Sequence, residues 1–414
     1  MTNADPNTED LICPSCDRPA SRGKFCSSCG TQLQTRPAAL PEPTEASVTQ
    51  LRPTLPAGRF IGAMVTDSYE EQRPSSFAPP AASFHPSVSR YAPQTEVNLG
   101  GLLTQFEAEQ PTVQPPTEPA TWGRRGTIRR LTGGIIKPAP GADELAFRAA
   151  EASIRQTILP RAAHIAVENT KGGACKTPTS VILSAALGRQ RKGVVVWEAA
   201  EARGTLGRRT EGNPVRGIGH LVENIHAITS AGALSGYTAP QSSHADAIGT
   251  TADRPAFTGQ DIARVQETLS QHFQLMIADG GNNAKASAFE QVISMTDVLI
   301  VPTVPTSDSI YAALDTLDAV SRTGAAGVRL AESAVLVVSH NGGPEDSSAL
   351  ERMRESVTRS APHAVILDVP FDPHIAAGGP LLWDQLTPAS QHAWTHVAAA
   401  TIANLHRNIT NGNG

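Results

Sequence analysis

Short apolar runs that alternate with helical patterns constrain the fold of this chain more than any other feature. The runs lie at 164–167, 194–197, 275–278, 298–301, 335–338 and 365–367. Helical patterns separate them at 176–190, 258–272, 285–294, 306–322 and 346–360. Continuous apolar runs of this length are typical of strands that are buried on both faces of a parallel sheet. The pattern therefore predicts an α/β fold in which a mostly parallel sheet is wrapped by helices.

Residues 169–177 form a candidate phosphate-binding loop between the first apolar run and the first helical pattern. The segment reads Asn-Thr-Lys-Gly-Gly-Ala-Cys-Lys-Thr, with lysines at positions 171 and 176. Glycines let the backbone approach phosphate oxygens, and a lysine followed by Ser or Thr supplies an ammonium and a hydroxyl. We predict that nucleotide contacts come from Lys171, Gly172, Gly173, Ala174, Cys175, Lys176, Thr177 and Pro178.

Two carboxylates at strand ends complete this predicted site. Asp279 follows the run 275–278, where a Walker B carboxylate holds Mg²⁺ together with the hydroxyl of Thr177. Glu198 ends the run 194–197 and is the candidate for orienting the attacking water, with a surface carboxylate as the alternative. The sequence thus predicts a P-loop NTPase that uses ATP and Mg²⁺.

The loop and the segments around it resemble the ParA/MinD family of ATPases, which carry a deviant Walker A motif. Residues 197–206 stand where that family has its aspartate-rich second motif, and residues 273–283 match its Walker B region. Residues 368–380 are similar to the base-side loop of actinobacterial MinD-like members. The resemblance covers roughly 122–405, and it implies a ParA/MinD-like ATPase domain over 161–408.

The resemblance implies a switch between a monomer and an ATP-dependent homodimer. Lys171 would be the signature lysine that reaches the phosphates of the partner subunit, whereas Lys176 would contact phosphate in its own subunit. Hydrolysis would then dissolve the dimer, since contacts to the γ-phosphate hold one of the two arrangements. Lys171 is therefore also a catalytic candidate.

Three departures from the family pattern bear on turnover. Cys175 stands where the family has Gly, Glu198 stands where it has Asp, and Ala200 replaces a second acidic residue. A β-carbon at position 175 narrows the loop around phosphate, so we expect weakened binding and a slow ATPase. The cysteine is either a redox-sensitive thiol, favoured by the N–H dipoles of the loop, or a thiol tolerated in place of glycine.

Four of the five cysteines form two CxxC pairs near the N-terminus, Cys13 with Cys16 and Cys26 with Cys29. Four thiolates at about 2.3 Å satisfy Zn²⁺ in a closed, structural site. Paired disulfides or a redox CxxC are the alternative, which a reducing cytoplasm disfavours. We predict a zinc ribbon over 10–34 that recruits a protein partner.

Proline and glycine, 32 and 34 residues respectively, are the compositional sign of a segment without a core. Residues 35–120 are rich in Pro, Ser, Thr, Ala and Glu and keep no amphipathic period, which predicts a disordered linker. Residues 121–160 are predicted to form a basic lead-in and a helix with Leu145, Ala149, Ala152 and Ile158 facing inward. The lead-in either packs on the main domain, which we favour, or contacts DNA phosphates through its four arginines.

No sequence feature indicates a membrane protein. The chain contains no apolar run long enough to span a bilayer and its first residues carry no export signal, so we expect a cytoplasmic protein. The amphipathic pattern Trp394, Val397, Ala398, Thr401, Ile402 and Leu405 lacks lysines on its polar face and predicts a helix that packs on the core.

Three functions fit these features. The first is an ATP-dependent dimerisation switch that partitions or positions DNA or a cellular complex. The second is a degenerate scaffold that binds nucleotide, or nothing, without hydrolysis. The third, suggested by the Trp-Gly-Arg-Arg lead-in at 122–125, is an accessory protein of a type VII secretion system.

Overall fold

The structure is a computed structural model that describes residues 11–12, 19–20, 118–212 and 214–411. Strands β1 (Leu11–Ile12) and β2 (Pro19–Ala20) form an antiparallel pair in which Leu11 is opposite Ala20. The zinc ligands predicted from the sequence, Cys13, Cys16, Cys26 and Cys29, lie outside the described residues, as does nearly all of the predicted linker.

An eight-stranded, mostly parallel sheet organises the chain from residue 118 onward. Its strands are β3 (Ala163–Val167), β4 (Val194–Glu198), β5 (Ala239–Pro240), β6 (Asp246–Ile248), β7 (Leu275–Asp279), β8 (Val298–Thr303), β9 (Val335–Ser339) and β10 (Val365–Val369). The spatial order is β10-β9-β8-β3-β7-β4-β6-β5, and the β5–β6 pair is antiparallel. The predicted α/β fold is confirmed, since each of the six apolar runs is a parallel strand.

Helices connect the strands and cover the sheet. They are α1 (Gly123–Leu131), α2 (Ala142–Gln156), α3 (Lys176–Gly188), α4 (Leu206–Arg209), α5 (Ile218–Glu223), α6 (Ala231–Leu234), α7 (Gly259–Ser270), α8 (Ser287–Ser294), α9 (Ser307–Ser321), α10 (Ala325–Glu332), α11 (Ser347–Ser360), α12 (Pro373–Ala376) and α13 (Pro388–Asn411). Helix α7 begins with a capping box, in which Thr258 and Asp261 exchange hydrogen bonds.

Two apolar layers, one on each face of the sheet, explain why its central strands are apolar throughout. Alternate residues of β3 enter different layers: Ile165 and Val167 pack with α3 and α13, whereas Ala166 packs with the residues of α7, α8 and α9. Because successive side chains of a strand point to opposite faces, a strand covered on both sides needs apolar residues at every position.

Helix α2 buries a different face from the one predicted. Its buried residues are Glu144, Ala150 and Ile154, while Leu145 is 44% exposed and Ile158 lies beyond the helix, 79% exposed. The prediction was wrong because it considered only apolar residues and did not include Glu144. The carboxylate of Glu144 instead accepts hydrogen bonds from Thr121, at 2.7 Å from both its N–H and its hydroxyl, and from Arg148 at 2.6 Å.

The lead-in packs against the C-terminal helix. The Trp122 ring stacks on His392 of α13 with 4.1 Å between ring centroids and contacts Phe147 of α2 at 4.9 Å. The predicted inward residues of α13, from Trp394 to Leu405, are buried. Within the described ranges, no helix combines the length and apolarity that a membrane crossing requires.

Candidate nucleotide site

The loop between β3 and α3 turns sharply at the carboxyl edge of the sheet. Gly173 and Cys175 adopt positive φ angles of 81° and 62°, which place both residues in the left-handed region. The buried Asn169 side chain anchors the loop, since its Nδ2 donates to the Pro302 carbonyl at 2.8 Å and its Oδ1 accepts from the Lys171 N–H at 2.8 Å. The loop is thus held in shape by its own chain.

Backbone donors and one ammonium converge on this loop. Among the described residues, the N–H groups of Gly172, Gly173 and Ala174 have no hydrogen-bond acceptor. The Lys176 Nζ donates to the carbonyls of Asn169 and Lys171, at 2.8 and 2.9 Å. Burial lowers the pKa of Lys176. These groups form a cradle of donors that suits an anion at the N-terminus of α3.

Asp279 closes one side of the cradle at the end of β7. Its carboxylate accepts hydrogen bonds from the hydroxyls of Thr177 and Ser180, both at 2.8 Å. Burial raises the pKa of Asp279 to about 6. Ser180 was missed in the sequence, although its position one turn after Thr177 on α3 places it on the same helix face.

A cavity of about 290 Å³, here the β7 cavity, opens beside the loop. It is lined by the loop and by the segments after β4 and β7: Glu168, Gly172, Lys176, Thr177, Ala199–Thr205, Asp279–Asn283, Ala286 and Phe289. The register explains the convergence, since Val167 pairs with Asp279 and Asp279 pairs with Glu198 across neighbouring strands.

Lys171 points away from Lys176 and forms an ion pair with Asp308 at the start of α9. The hydrogen bond from Lys171 lowers the pKa of Asp308 to about 2. The Lys171 side chain is 32% exposed, and that of Asp308 is 71% exposed. The two lysines of the loop are both half-buried but have different partners, since Lys176 donates to carbonyls of the loop and Lys171 pairs with a carboxylate of α9.

Glu198 is fully buried and lies outside the residues that line the β7 cavity. Its Oε1 accepts hydrogen bonds from the Gly204 N–H at 3.0 Å, from the Thr250 hydroxyl and from Arg254 at 3.3 Å. Arg254 is itself buried and stacks on the Phe257 ring. Through these hydrogen bonds, Glu198 connects the segment after β4 with the segment after β6.

Glu168 was missed in the sequence. It is 1% exposed, it lines the β7 cavity, and neither of its carboxylate oxygens has a hydrogen-bond partner in the described part of the chain. Burial raises its pKa well above the usual range, although the charge of Lys176 opposes this. An acidic residue directly after an apolar strand was the signal available in the sequence.

A second cavity, of about 130 Å³, lies on the other side of the loop and is called the β10 cavity below. It is lined by Cys175, Pro178, Ser339, His340, Asn341, Val369–Asp372, Ile375, Ala376 and Trp394. The structure therefore brings together the loop, residues 339–341 at the end of β9 and residues of the segment 368–380. Burial also raises the pKa of the Cys175 thiol, which disfavours the redox-sensitive thiolate considered from the sequence.

No protein-family model matches the sequence, and no curated protein matches it either. The fold can be compared with solved structures. An ATP complex of the McdA D38A variant from Cyanothece shares 14% identity over 57% of this chain and 96% of its own, with a TM-score of 0.41.

Two further structures are similar at the same level. A ParA family ATPase from Chlorobium tepidum shares 13% identity over 60% of this chain and 98% of its own, with a TM-score of 0.43. The septum site-determining protein MinD from Pyrococcus horikoshii, complexed with Mg-ADP, shares 15% identity over 58% and 94%, also with a TM-score of 0.43. The solved structures to which this chain is similar thus include ATPases of the ParA and MinD type.

Proposed function

We propose that this chain binds ATP with Mg²⁺ and uses the bound nucleotide as a dimerisation switch. One observation carries the proposal: Lys176, Thr177 and Asp279 meet at the carboxyl edge of a parallel sheet, at a loop whose N–H groups at 172–174 have no acceptor among the described residues. Such a constellation suits a polyphosphate, because it joins backbone dipoles, an ammonium and a metal-binding carboxylate.

The two cavities support a nucleotide as the ligand. They flank the loop, with Lys176 and Thr177 in the β7 cavity and Cys175 and Pro178 in the β10 cavity. The triphosphate would lie in the cradle and towards the β7 cavity. The base would enter the β10 cavity, whose Phe371 and Trp394 offer apolar contact.

The residues beside the cradle fit Mg²⁺. The Thr177 hydroxyl and the Asp279 carboxylate are hard oxygen donors held 2.8 Å apart, which is the donor chemistry that Mg²⁺ prefers. Magnesium bound there would neutralise phosphate charge. Thr177 and Asp279 would hold the ion, directly or through its water.

The proposed switch rests on Lys171. Because its ammonium pairs with an exposed carboxylate at the surface, it can exchange Asp308 for a phosphate of a second subunit at small energetic cost. Lys176 is committed to the cradle of its own chain. This division of roles supports an ATP-bridged homodimer that hydrolysis dissolves.

Lysine substitutions test the two roles separately. Lys176→Ala is expected to abolish ATP binding measured by calorimetric titration, because it removes the ammonium of the cradle. Lys171→Ala is expected to bind ATP like the wild type but to stay monomeric in light scattering with Mg-ATP. Lys192→Ala, on an exposed position after α3, is the control and should bind and dimerise normally.

A scaffold that binds ATP without turnover is the second candidate. It is favoured by Glu198, whose carboxylate is engaged by Gly204, Thr250 and Arg254, and by the left-handed conformation of Cys175. Phosphate release at saturating Mg-ATP discriminates the two candidates. A wild-type protein that binds no nucleotide at millimolar ATP would exclude the switch and leave a scaffold that works without nucleotide.

We further propose a cellular role in partitioning or positioning DNA or a cellular complex from the cytoplasm. Residues 10–34 would bind Zn²⁺, and this ribbon or the linker would recruit the partner protein. There are two alternatives. One is non-specific DNA binding through the arginines of α1, and the other is an accessory function in a type VII secretion system. The genes next to this one would distinguish these roles. A gene for a centromere-binding protein indicates partition, and genes for secretion components indicate a role in secretion.

A further inference from the structure

Glu168 is a buried acid without a hydrogen-bond partner in the described part of the chain, and it lines the cavity where phosphate chemistry would take place. Its backbone is fixed, because the Glu168 N–H donates to the Ile300 carbonyl at 3.0 Å in β8. The side chain is 1% exposed and both carboxylate oxygens lack hydrogen-bond partners among the described residues. Buried polar groups are almost always hydrogen-bonded, so an exception calls for a ligand or a water as its partner.

The carboxylate occupies space that the neighbouring strand leaves open for it. A β-carbon on Gly280 would lie 1.9 Å from Glu168 Oε1 and 2.2 Å from Oε2, so any side chain at position 280 would displace the acid. Gly280 directly follows Asp279 and donates its N–H to the Val167 carbonyl at 3.1 Å. Glu168 is therefore placed beside the predicted magnesium ligand, one strand away.

Other carboxylates of this edge accept at least one hydrogen bond each, although Glu198 Oε2, like both oxygens of Glu168, has no partner in the described part of the chain. Asp279 accepts from Thr177 and Ser180, while Glu201 accepts from the Asn283 amide at 3.0 Å. Glu198, the residue predicted to orient water, accepts three hydrogen bonds and lies outside the lining of the β7 cavity. Among these acids, Glu168 combines a free carboxylate with access to the cavity.

We propose that Glu168, and not Glu198, is the catalytic carboxylate that holds and deprotonates the attacking water. The inference rests on the proposed function, since it requires ATP in the cradle. The β7 cavity, at about 290 Å³, has room for water next to the phosphates. Glu168 accepts a hydrogen bond from this water and keeps it close to the terminal phosphate.

The reaction step is hydrolysis of the terminal phosphoanhydride. The water oxygen forms a bond to the γ-phosphorus while the bond between that phosphorus and the β–γ bridging oxygen breaks, and its electron pair stays on ADP. The proton of the water passes to Glu168 and leaves with the phosphate or into solvent. The carboxylate is thereby regenerated, and no further reactant is needed.

Glu168→Gln tests this role, because it keeps the size of the side chain and removes the base. We expect the rate of phosphate release at saturating Mg-ATP to fall by about 100-fold or more, the usual contribution of a general base. The dissociation constant for ATP and the extent of ATP-dependent dimerisation should stay within about twofold of the wild type, and the dimer should persist longer. Asp143→Asn, at an exposed position of α2, is the control and should hydrolyse ATP normally.

The outcomes separate the inference from the proposed function. A Glu168→Gln variant that binds ATP and hydrolyses it as fast as the wild type overturns the inference and leaves the switch intact. So does a variant that loses binding together with turnover, because Glu168 then only shapes the site. A wild-type protein that binds no ATP removes the proposed function itself.

Discussion

Cys175 carries backbone strain at the point where the loop enters helix α3. Its φ of 62° lies in the left-handed region, where a side chain costs about 1–2 kcal/mol that glycine does not incur. The side chain lines the β10 cavity and not the β7 cavity, so it borders the proposed base more closely than the phosphates. The backbone strain therefore occurs at a residue that borders the proposed nucleobase site and not the phosphate site.

Glycine at position 175 should relieve the strain. Cys175→Gly is expected to raise the free energy of unfolding by about 1 kcal/mol, measured by urea denaturation without nucleotide. Cys175→Ala is the matched control, because alanine keeps the β-carbon in the same conformation and should give no gain. Equal stabilisation by both variants would show that the thiol, and not the backbone, is unfavourable.

At the scale of elements, the contact between the lead-in and α2 depends on Glu144. Burial raises the pKa of this acid, but hydrogen bonds from Thr121 and Arg148 outweigh burial and hold the pKa below its usual value. A carboxyl whose pKa is lowered by folding stabilises the folded state at neutral pH and loses this contribution as pH falls through the folded pKa. The docking of α1 should therefore weaken in acid, below the ordinary carboxyl pKa.

Removing the charge of Glu144 should loosen the lead-in at neutral pH as acid does. In Glu144→Gln we expect faster tryptic cleavage at Arg124 and Arg125 of α1 than in the wild type at neutral pH. Asp143→Asn, on the neighbouring exposed position, is the control and should be cleaved at the wild-type rate. Unchanged cleavage in Glu144→Gln would mean that the stacking of Trp122 on His392 holds the segment alone.

The elements that sequence patterns predicted are those whose burial is periodic and complete. Strands β3, β4 and β7 to β9 read as continuous apolar runs because helices cover both faces of the sheet, whereas β10 at the sheet edge is only half-buried. Strands β5 and β6, with two and three residues at the sheet edge, are too short to show a period, and α10 lies between a turn and β9. The inward face of α2 was wrong because its key buried residue is a hydrogen-bonded acid.

Predictability of the site differs from residue to residue for similar reasons. Lys176, Thr177 and Asp279 could be placed from the sequence because the loop motif and the strand end fix them locally. The partners of Glu198 could not, since Thr250 and Arg254 come from a segment more than 50 residues away along the chain. The Glu168 carboxylate has space only because Gly280 has no side chain. The sequence does not show that these two residues are neighbours, because their proximity follows from the register of β3 and β7.

At the scale of the whole molecule, the carboxyl edge of the sheet concentrates the proposed chemistry. The loop follows β3, Asp279 ends β7, and the β10 cavity is bordered by the segments after β9 and β10. Ligands of open α/β sheets bind at this edge because loops there can diverge from a rigid base. The predicted zinc ribbon would rest on four cysteines, none of which belongs to the residues of this edge.

The predicted zinc site should therefore be independent of nucleotide binding. We expect about one zinc per chain in the purified full-length protein by plasma mass spectrometry, since four thiolates complete one tetrahedral site. Cys13→Ser should lose the metal, because three thiolates leave the site open, while its dissociation constant for Mg-ATP stays at the wild-type value. Cys175→Ser is the matched control and should keep the zinc, because this cysteine lines the β10 cavity. A wild-type protein without zinc would contradict the ribbon, and a Cys13→Ser variant with altered ATP affinity would show that the N-terminal segment acts on the nucleotide site.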